Sequence, residues 1–289
     1  MMSVLVTGAT RGLGLSTARF LAADRGVHVL CAGRDRDRIA STAREVAGGP
    51  VLLDLADLSS VRAAAADLPH VDAVVCNAGL QVLRGATITR DGFETTFQVN
   101  YLAHLALVDA LLGRSAPPST VVMIGSATHD PAIRTGTPDP VEDDDLDLLS
   151  RPGRQTEAPR TAGMRRYVTS KLLIAATAAA LARQHPGVHV TCFDPGMMPG
   201  TGLARDHPAP VRAVWSTALK GLRVLPFASS PAASARALAG LIRKDPPLPP
   251  SGSYVNHRLQ VVPASARARD VDYQDSVLRR SRRLLDTAR

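Results

Sequence analysis

The chain opens on a short apolar run, Ser3-Val4-Leu5-Val6. It passes at once into Thr7-Gly8-Ala9-Thr10-Arg11-Gly12-Leu13-Gly14 and then into a helical pattern through Ala18-Arg19-Phe20-Leu21. No other stretch limits the fold as strongly. Glycines between a first strand and a first helix let the backbone turn tightly and bring an anion, such as a pyrophosphate, against the free N–H groups of the helix start. The alternation continues. Val27–Cys31, Val51–Leu53, Val71–Cys76, Val121–Ile124, Val188–Phe193 and Ser253–Val255 read as further strands, with helices over Gly92–Leu112 and Met164–Arg183. Near-continuous apolar strands separated by helices are the pattern of a parallel sheet covered on both faces. Right-handed crossovers then give an α/β fold with a doubly wound parallel sheet.

Two segments break the alternation. Residues 128–162 are polar, rich in Pro and Gly and acidic, and read as a surface insertion whose run from Glu142 to Asp147 is solvated. Residues 197–228 carry Pro, Met, Trp215 and apolar patches, and read as a helical substrate cover over the carboxyl edge of the sheet. Residues 270–289 read as a short amphipathic helix with Val277, Leu278, Leu284 and Leu285 as apolar contacts. At 289 residues the chain is expected to form one domain, 1–289, with a full core.

The net charge of +8 does not read as a nucleic-acid surface. Lysine occurs only at Lys171, Lys220 and Lys244, and the arginines are spread along the chain apart from a cluster at Arg279–Arg283. No reading module accompanies them. Cys31, Cys76 and Cys192 each fall in an apolar strand, without metal-ligand spacing, so neither a disulfide framework nor a metal site is expected. No signal peptide precedes the first strand and no apolar helix is long enough to span a bilayer, which predicts a cytoplasmic protein.

The candidate cofactor residues lie at successive carboxyl ends of the predicted strands. In the glycine turn they are Gly8, Thr10, Arg11, Gly12, Leu13 and Gly14. An acidic residue at the end of strand two would accept hydrogen bonds from the adenosine ribose and repel a 2′-phosphate. This chain has Arg34 there and Arg11 in the turn, and guanidinium matches phosphate geometry, so NADPH is the expected cofactor. Asp54, followed by Leu55, ends strand three and can accept from the adenine amino group; Asn77-Ala78-Gly79 ends strand four, where small residues let the backbone pass beside the ribose. Both also read as ordinary strand-end turns.

Tyr167 and Lys171 stand four residues apart on a predicted helix and so share a face. A free tyrosine, with a pKa near ~10, is a poor proton donor or acceptor at neutral pH. A neighbouring ammonium favours the phenolate and is expected to bring it into the working range. Ser126 ends strand five and can hydrogen-bond a substrate oxygen, and Asn100 in the long helix can hold a water that passes protons to the lysine. His104 reads as a satisfied core residue. His129 and His207 lie near the expected mouth, where they could touch substrate, and Trp215 reads as packing.

Taken in order, the glycine turn, Asn77-Ala78-Gly79, Asn100, Ser126 and Tyr167…Lys171 resemble the short-chain dehydrogenase/reductase family over nearly the whole chain. Leu53–Arg62, Asp91-Gly92-Phe93-Glu94 and Val99–His104 are similar to the branch of retinol dehydrogenases and light-dependent protochlorophyllide reductase. Val75–Ala78, Thr201–His207 and Ser251–Tyr254 resemble the second of these in particular. The resemblance implies a Rossmann fold, a hydride from the nicotinamide, the roles given above for Ser126, Tyr167, Lys171 and Asn100, and contact of Pro195, Gly196 and following residues, Met198 and Thr201 among them, with the nicotinamide amide. The chain departs from the pattern at Gly200, where the family usually has Thr; Thr201 follows one step on. It also has Leu173 where the photoreductase carries a cysteine, which argues against photochemistry.

The expected activity is hydride transfer between NADPH and a carbonyl or alcohol carbon of a bulky hydrophobic substrate, as in a ketoreductase of specialised metabolism. Reduction of a conjugated C=C bond, and a non-catalytic NADPH-binding sensor or scaffold, are the rival readings. The expected partner is a small hydrophobic carbonyl compound; monomer and homo-oligomer both stay open.

Overall fold

The computed structural model describes residues 1–83, 85–141, 146, 150, 158–198, 229–244 and 248–288. Seven strands, β1 (Met2–Thr7), β2 (Val27–Gly33), β3 (Gly49–Leu52), β4 (Ala73–Cys76), β5 (Thr120–Ile124), β6 (His189–Phe193) and β7 (Tyr254–Val255), form one sheet in the order β3-β2-β1-β4-β5-β6-β7. Every pairing is parallel. All seven correspond to the strands read from the sequence, and the order reverses between β1 and β4. That switch point is where an open parallel sheet leaves a crevice outside its carboxyl ends.

Alternate strand residues face opposite layers. Leu5, Leu30, Val74, Val121, Met123 and Val190 join one apolar cluster; Val4, Val6, Val29, Cys31, Val75 and Val122 join the other. The first layer is closed by α3 (Leu58–Asp67), α5 (Ala103–Leu112), α6 (Pro159–Gln184) and α9 (Val271–Thr287), which follows the short α8 (Ala266–Arg269). The second is closed by α1 (Gly12–Ala22), α2 (Arg36–Glu45) and α7 (Pro231–Arg243). Because both faces are covered, the strands can be apolar without alternation. Helix starts are set by side-chain caps at Asp35, Asp57, Ser230 and Asp270.

The helix expected over Gly92–Leu112 differs in two ways. Gly92 lies outside it in a turn with φ +83°. The helix itself begins as α4 (Thr95–Phe97), passes through a single π turn at Gln98–Leu102 and continues as α5. Turns of this kind gather at functional sites, and this one carries Asn100. The tail forms α9, whose Val277, Leu278 and Leu284 are buried and whose Leu285 packs against the same core. Ser281 holds it from inside, 2.7 Å from the Tyr101 hydroxyl, which also bonds Thr177 of α6 at 3.0 Å. Arg282 grips Asp109 through both carboxylate oxygens at 2.8 and 2.9 Å.

Most of the acidic run of the 128–162 insertion, and the 197–228 cover beyond Met198, lie outside the described residues, as do Thr201, His207 and Trp215. The last four residues of the insertion, Pro159–Ala162, are the first turn of α6. No described helix is long and apolar enough to cross a membrane.

Candidate active site

The glycine turn is built by close backbone contact. A Cβ on Gly14 would come within 2.4 Å of the Gly8 carbonyl oxygen and 2.5 Å of Asn77 Nδ2, so α1 can start this near the sheet only with glycine there. Gly12 has φ +56° and open space where its Cβ would be. Unlike the helices with polar caps named above, α1 starts at Arg11 without a side-chain hydrogen bond, and its first N–H groups are left to an incoming anion. A backbone cradle with an uncapped helix start fits the pyrophosphate of a dinucleotide. Thr10 lies against the end of β2, its methyl 3.7 Å from where a Cβ on Gly33 would stand. Leu13 is buried and supports the turn from below.

Asn77 has a firmer structural task than its sequence position suggested. Its backbone N–H and that of Ala78 both donate to Thr7 Oγ1 at 2.9 Å, and its Nδ2 donates to the Thr7 carbonyl at 2.8 Å. The ends of β1 and β4 are thus locked together beneath the turn. Asp54 accepts from Ala56 N–H at 3.0 Å, which leaves its second oxygen for a ligand. Leu55 is buried, and its carbonyl accepts from Gln98 Nε2 at 3.2 Å. Arg11 and Arg34 are exposed, and neither forms an ion pair among the described residues.

Ser126, Tyr167 and Lys171 meet at the carboxyl ends of β5 and β6. Ser126 caps a 3-10 turn (Ala127–His129), and Thr128 Oγ1 donates to its hydroxyl at 3.0 Å. The Tyr167 phenol hydrogen-bonds Ser126, and the Lys171 ammonium lies 5.5 Å from the centre of the tyrosine ring. Lys171 is buried and donates to the Ile124 carbonyl at 2.8 Å. Burial lowers its pKa to about 8, against the opposing pull of Cys192 and Asp194. The phenol runs against the expectation drawn from its lysine neighbour. Burial raises its pKa and the Asp194 carboxylate raises it further, while the Ser126 bond opposes both. In the resting chain Tyr167 is therefore a protonated phenol.

Asn100 is brought to the same place but does not offer its side chain to a water. Its Oδ1 accepts from Leu80 N–H at 2.8 Å, and its Nδ2 donates to the Leu80 carbonyl at 2.9 Å and to Ser170 Oγ at 3.1 Å. Both amide hydrogens are used. Only the backbone carbonyl remains for the expected water. Pro195 and Gly196 lie just past β6; Gly196 has φ +72° and donates to Asp194 Oδ1 at 2.9 Å, and the Pro195 carbonyl accepts from Ser234 at 2.6 Å. The side chain of Met198 is buried in the second apolar cluster, so what it can offer a nicotinamide is its backbone.

Two features were not read from the sequence, and a third was read differently. Asp194 is buried beside Lys171 and Tyr167, and its only signal was its place before Pro195. Arg166, next to Tyr167, forms an ion pair with Glu94 at 3.2 Å, both almost fully buried. The Asp91-Gly92-Phe93-Glu94 motif carried that signal without its partner. Its other member, Asp91, accepts from Leu58 N–H at 2.9 Å and from Gln98 at 2.7 Å, which braces the strand-three corner.

His129 is the third. It does not open onto the mouth but is buried: its Nδ1 lies 2.7 Å from the Ser126 carbonyl, and Ser265 N–H donates to its Nε2 at 3.0 Å. His104 is satisfied in the core as expected, between Thr7 and Asn100. Burial lowers the pKa of both rings, that of His104 to about 4. Between about 4 and the ordinary value near 6.5 the unfolded chain binds the proton that the folded chain refuses, so stability falls as pH drops through this window. For His104 alone the full loss is about 3 kcal/mol. Urea unfolding at pH 7 and pH 4.5 checks it: the midpoint drops at the lower pH, and the drop shrinks in His104→Asn.

Comparison with known proteins agrees with this geometry. The family model for short chain dehydrogenases matches residues 2–135. Barley protochlorophyllide reductase B is 32% identical over 232 residues, 71% of this chain and 58% of that protein. Human retinol dehydrogenase 13 is 32% identical over 210 residues, 68% of this chain and 58% of that one. A daunorubicin C-13 ketoreductase assigned in Streptomyces sp. strain C5 is 34% identical over 204 residues, 67% of this chain and 65% of that protein. The match thus spans somewhat over half the length of these relatives. Among solved structures, an uncharacterised protein from Mycobacterium paratuberculosis superposes over 99% of this chain and 94% of its own, with TM-score 0.74 and 28% identity. With the sheet order found above, these likenesses settle the kinship: the chain belongs to the short-chain dehydrogenase/reductase family, in the branch that holds the retinol dehydrogenases and protochlorophyllide reductases.

Proposed function

We propose that the chain, as one oxidoreductase domain, is an NADPH-dependent ketoreductase for a bulky hydrophobic carbonyl compound. The observation that carries the reading is the meeting of Ser126, a protonated Tyr167 phenol and the buried Lys171 ammonium at the same carboxyl edge of the sheet as the glycine turn. When bound, the nicotinamide dinucleotide supplies the hydride. Ser126 orients the substrate oxygen by hydrogen bonding, and Tyr167 gives that oxygen its proton as the carbonyl carbon accepts the hydride. The Lys171 ammonium stabilises the phenolate left behind until solvent returns a proton. A resting phenol with a raised pKa suits the reducing direction, in which Tyr167 starts as the acid.

The names of the relatives lend the substrate class its support: one is a dehydrogenase of an alcohol, retinol, and another is assigned to a ketone of a polycyclic compound. The preference for NADPH rests on Arg34 and Arg11, exposed and without ion-pair partners among the described residues at the end of β2 and in the glycine turn. Arg34→Ala is expected to raise the KM for NADPH by roughly 10- to 100-fold, the effect of one charge-assisted hydrogen bond, and to leave NADH nearly unchanged. Steady-state kinetics with both cofactors over a panel of hydrophobic ketones tests this; equal losses with the two would remove the basis for NADPH. Analysis of the product separates an alcohol from a saturated ketone, and so C=O from C=C reduction.

A further inference from the structure

The chemistry above gives no part to His104, although this ring lies between the cofactor side of the fold and the proton-transfer pair. It is buried on the first turn of α5, and its hydrogen bonds fix its tautomer. Thr7 Oγ1 accepts from the N–H groups of Asn77 and Ala78, both at 2.9 Å, which fills its lone pairs. Its own proton has two acceptors in reach, His104 Nε2 at 2.9 Å and the Val75 carbonyl at 3.3 Å, and the nearer is the histidine. On the other side His104 Nδ1 lies 3.1 Å from the Asn100 carbonyl. Two acceptors do not face each other at that distance in a dry interior, so Nδ1 carries the hydrogen. The ring is neutral, accepts from Thr7 and donates to Asn100.

The row of bonds does not stop at Asn100. Its Nδ2 donates to Ser170 Oγ at 3.1 Å, and Ser170 Oγ donates to the Tyr167 carbonyl at 2.6 Å. From Asn77 and Ala78 through Thr7, His104, Asn100 and Ser170, the donors run one way toward the helical turn that carries Tyr167 and Lys171. Bonds aligned in this manner strengthen one another within each stretch, and Asn100 joins the two stretches through its backbone carbonyl and its side-chain amide. The Asn100 side chain is already committed to Leu80 and Ser170. That carbonyl belongs to the π turn, and His104 is the side chain that holds it.

We propose that neutral His104 is a positioning residue for proton transfer: it sets the Asn100 carbonyl and, through Asn100 and Ser170, the turn bearing Tyr167 and Lys171. The role in turnover rests on the reading of Tyr167 as the proton donor; the placement of the ring does not. The charged group that faces His104 is Lys171, whose ammonium disfavours a second positive charge there.

Two variants and a control test the proposal in the full chain with NADPH and a ketone that the wild type reduces. His104→Leu removes both ring bonds, His104→Asn keeps a donor toward the Asn100 carbonyl, and Leu107→Ala loosens the same helix elsewhere. His104→Leu is expected to lower kcat about tenfold or more, with the KM for ketone and for NADPH within about twofold. It also shifts the alkaline limb of the kcat–pH profile by about half a pH unit. His104→Asn recovers most of the kcat, and Leu107→Ala leaves the profile in place. An unmoved profile in His104→Leu overturns the proposal, as does equal loss in all three variants in step with their melting temperatures. Nitrogen-15 NMR of histidine-labelled protein reads the ring without turnover: protonated Nδ1 and bare Nε2 at pH 7 support the assignment, and a protonated Nε2 refutes it. A wild type that reduces no carbonyl yet shows this tautomer defeats the ketoreductase reading and the catalytic role together, and leaves the ring's placement standing.

Discussion

Tyr167→Phe is expected to lower kcat for ketone reduction about 10³-fold, within the range that a positioned acid or base contributes. On the proposed reading, in which the β1–α1 turn holds the dinucleotide, the affinity for NADPH should stay within about twofold. The substitution removes one oxygen from a half-buried side chain and keeps its ring, so the fold is retained. In the wild type the same assay carries a second signature. Lys171, with its pKa lowered to about 8, loses its ammonium as pH rises through that value, and with it the charge that stabilises the phenolate. Reduction should therefore fall on the alkaline side of about pH 8, with that limb buried under the background rate in Tyr167→Phe. Single-turnover kinetics with fluorescence-measured NADPH binding separates the two effects. A Phe variant that keeps wild-type kcat would take the proton-transfer role away from Tyr167.

The second large effect is on stability and falls on the Glu94–Arg166 pair. Both side chains are almost fully buried, with the Glu94 carboxylate 3.2 Å from Arg166 Nε and the Arg166 Nη2 also reaching the Gly85 carbonyl at 2.5 Å. Removing the cation leaves a carboxylate in the interior. Arg166→Met is expected to cost about 3–5 kcal/mol at pH 8, the usual penalty for an uncompensated buried charge. The pH dependence has a definite sign. Burial already raises the Glu94 pKa and Arg166 opposes the rise, so the variant's carboxyl titrates higher still. The folded variant then binds a proton that the unfolded chain has released, and its stability is recovered as pH falls toward 6. Urea unfolding of wild type, Arg166→Met and the double variant Glu94→Gln/Arg166→Met at both pH values checks this. The double variant should be more stable than Arg166→Met at pH 8, since no charge is left buried. A single variant as stable as the wild type would show that the pair is neutral for the fold.

The two experiments probe different layers of one arrangement. Arg166 and Tyr167 are neighbours on α6, so the buried pair ties the helix that carries the phenol to the turn before the π segment that carries Asn100. What was legible here was local. The four-residue spacing of Tyr167 and Lys171 puts both on one face of a helix whatever else the chain does. The glycines of the first turn imply close backbone approach wherever a strand feeds a helix, and the distances at Gly14 bear that out. Less legible were side chains whose meaning depends on a partner far along the chain. His129 was read as lying near the mouth because it begins the inserted segment after the fifth strand. Its ring is instead turned inward and held between Ser126 and Ser265, 136 positions away. Asn77 was read by its place at a strand end, while its hydrogen bonds go to Thr7 across the sheet.

The amino-acid pattern by itself pointed to the parallel doubly wound sheet, because apolar strands between helices need both faces covered and the glycine turn after the first strand belongs to an open sheet of this kind. It also determined which residues end those strands, Ser126 among them, and that Tyr167 and Lys171 share one face of a helix. Tertiary structure alone decided their protonation. Local reasoning set a lysine beside a tyrosine and expected the phenol's pKa to fall; burial of the phenol and the Asp194 carboxylate raise it instead. Desolvation and long-range charge are properties of the packed whole, so no window of sequence contains them. The same holds for the π turn at Asn100 and the tautomer of His104, each fixed by hydrogen bonds to residues brought near only when the sheet closes.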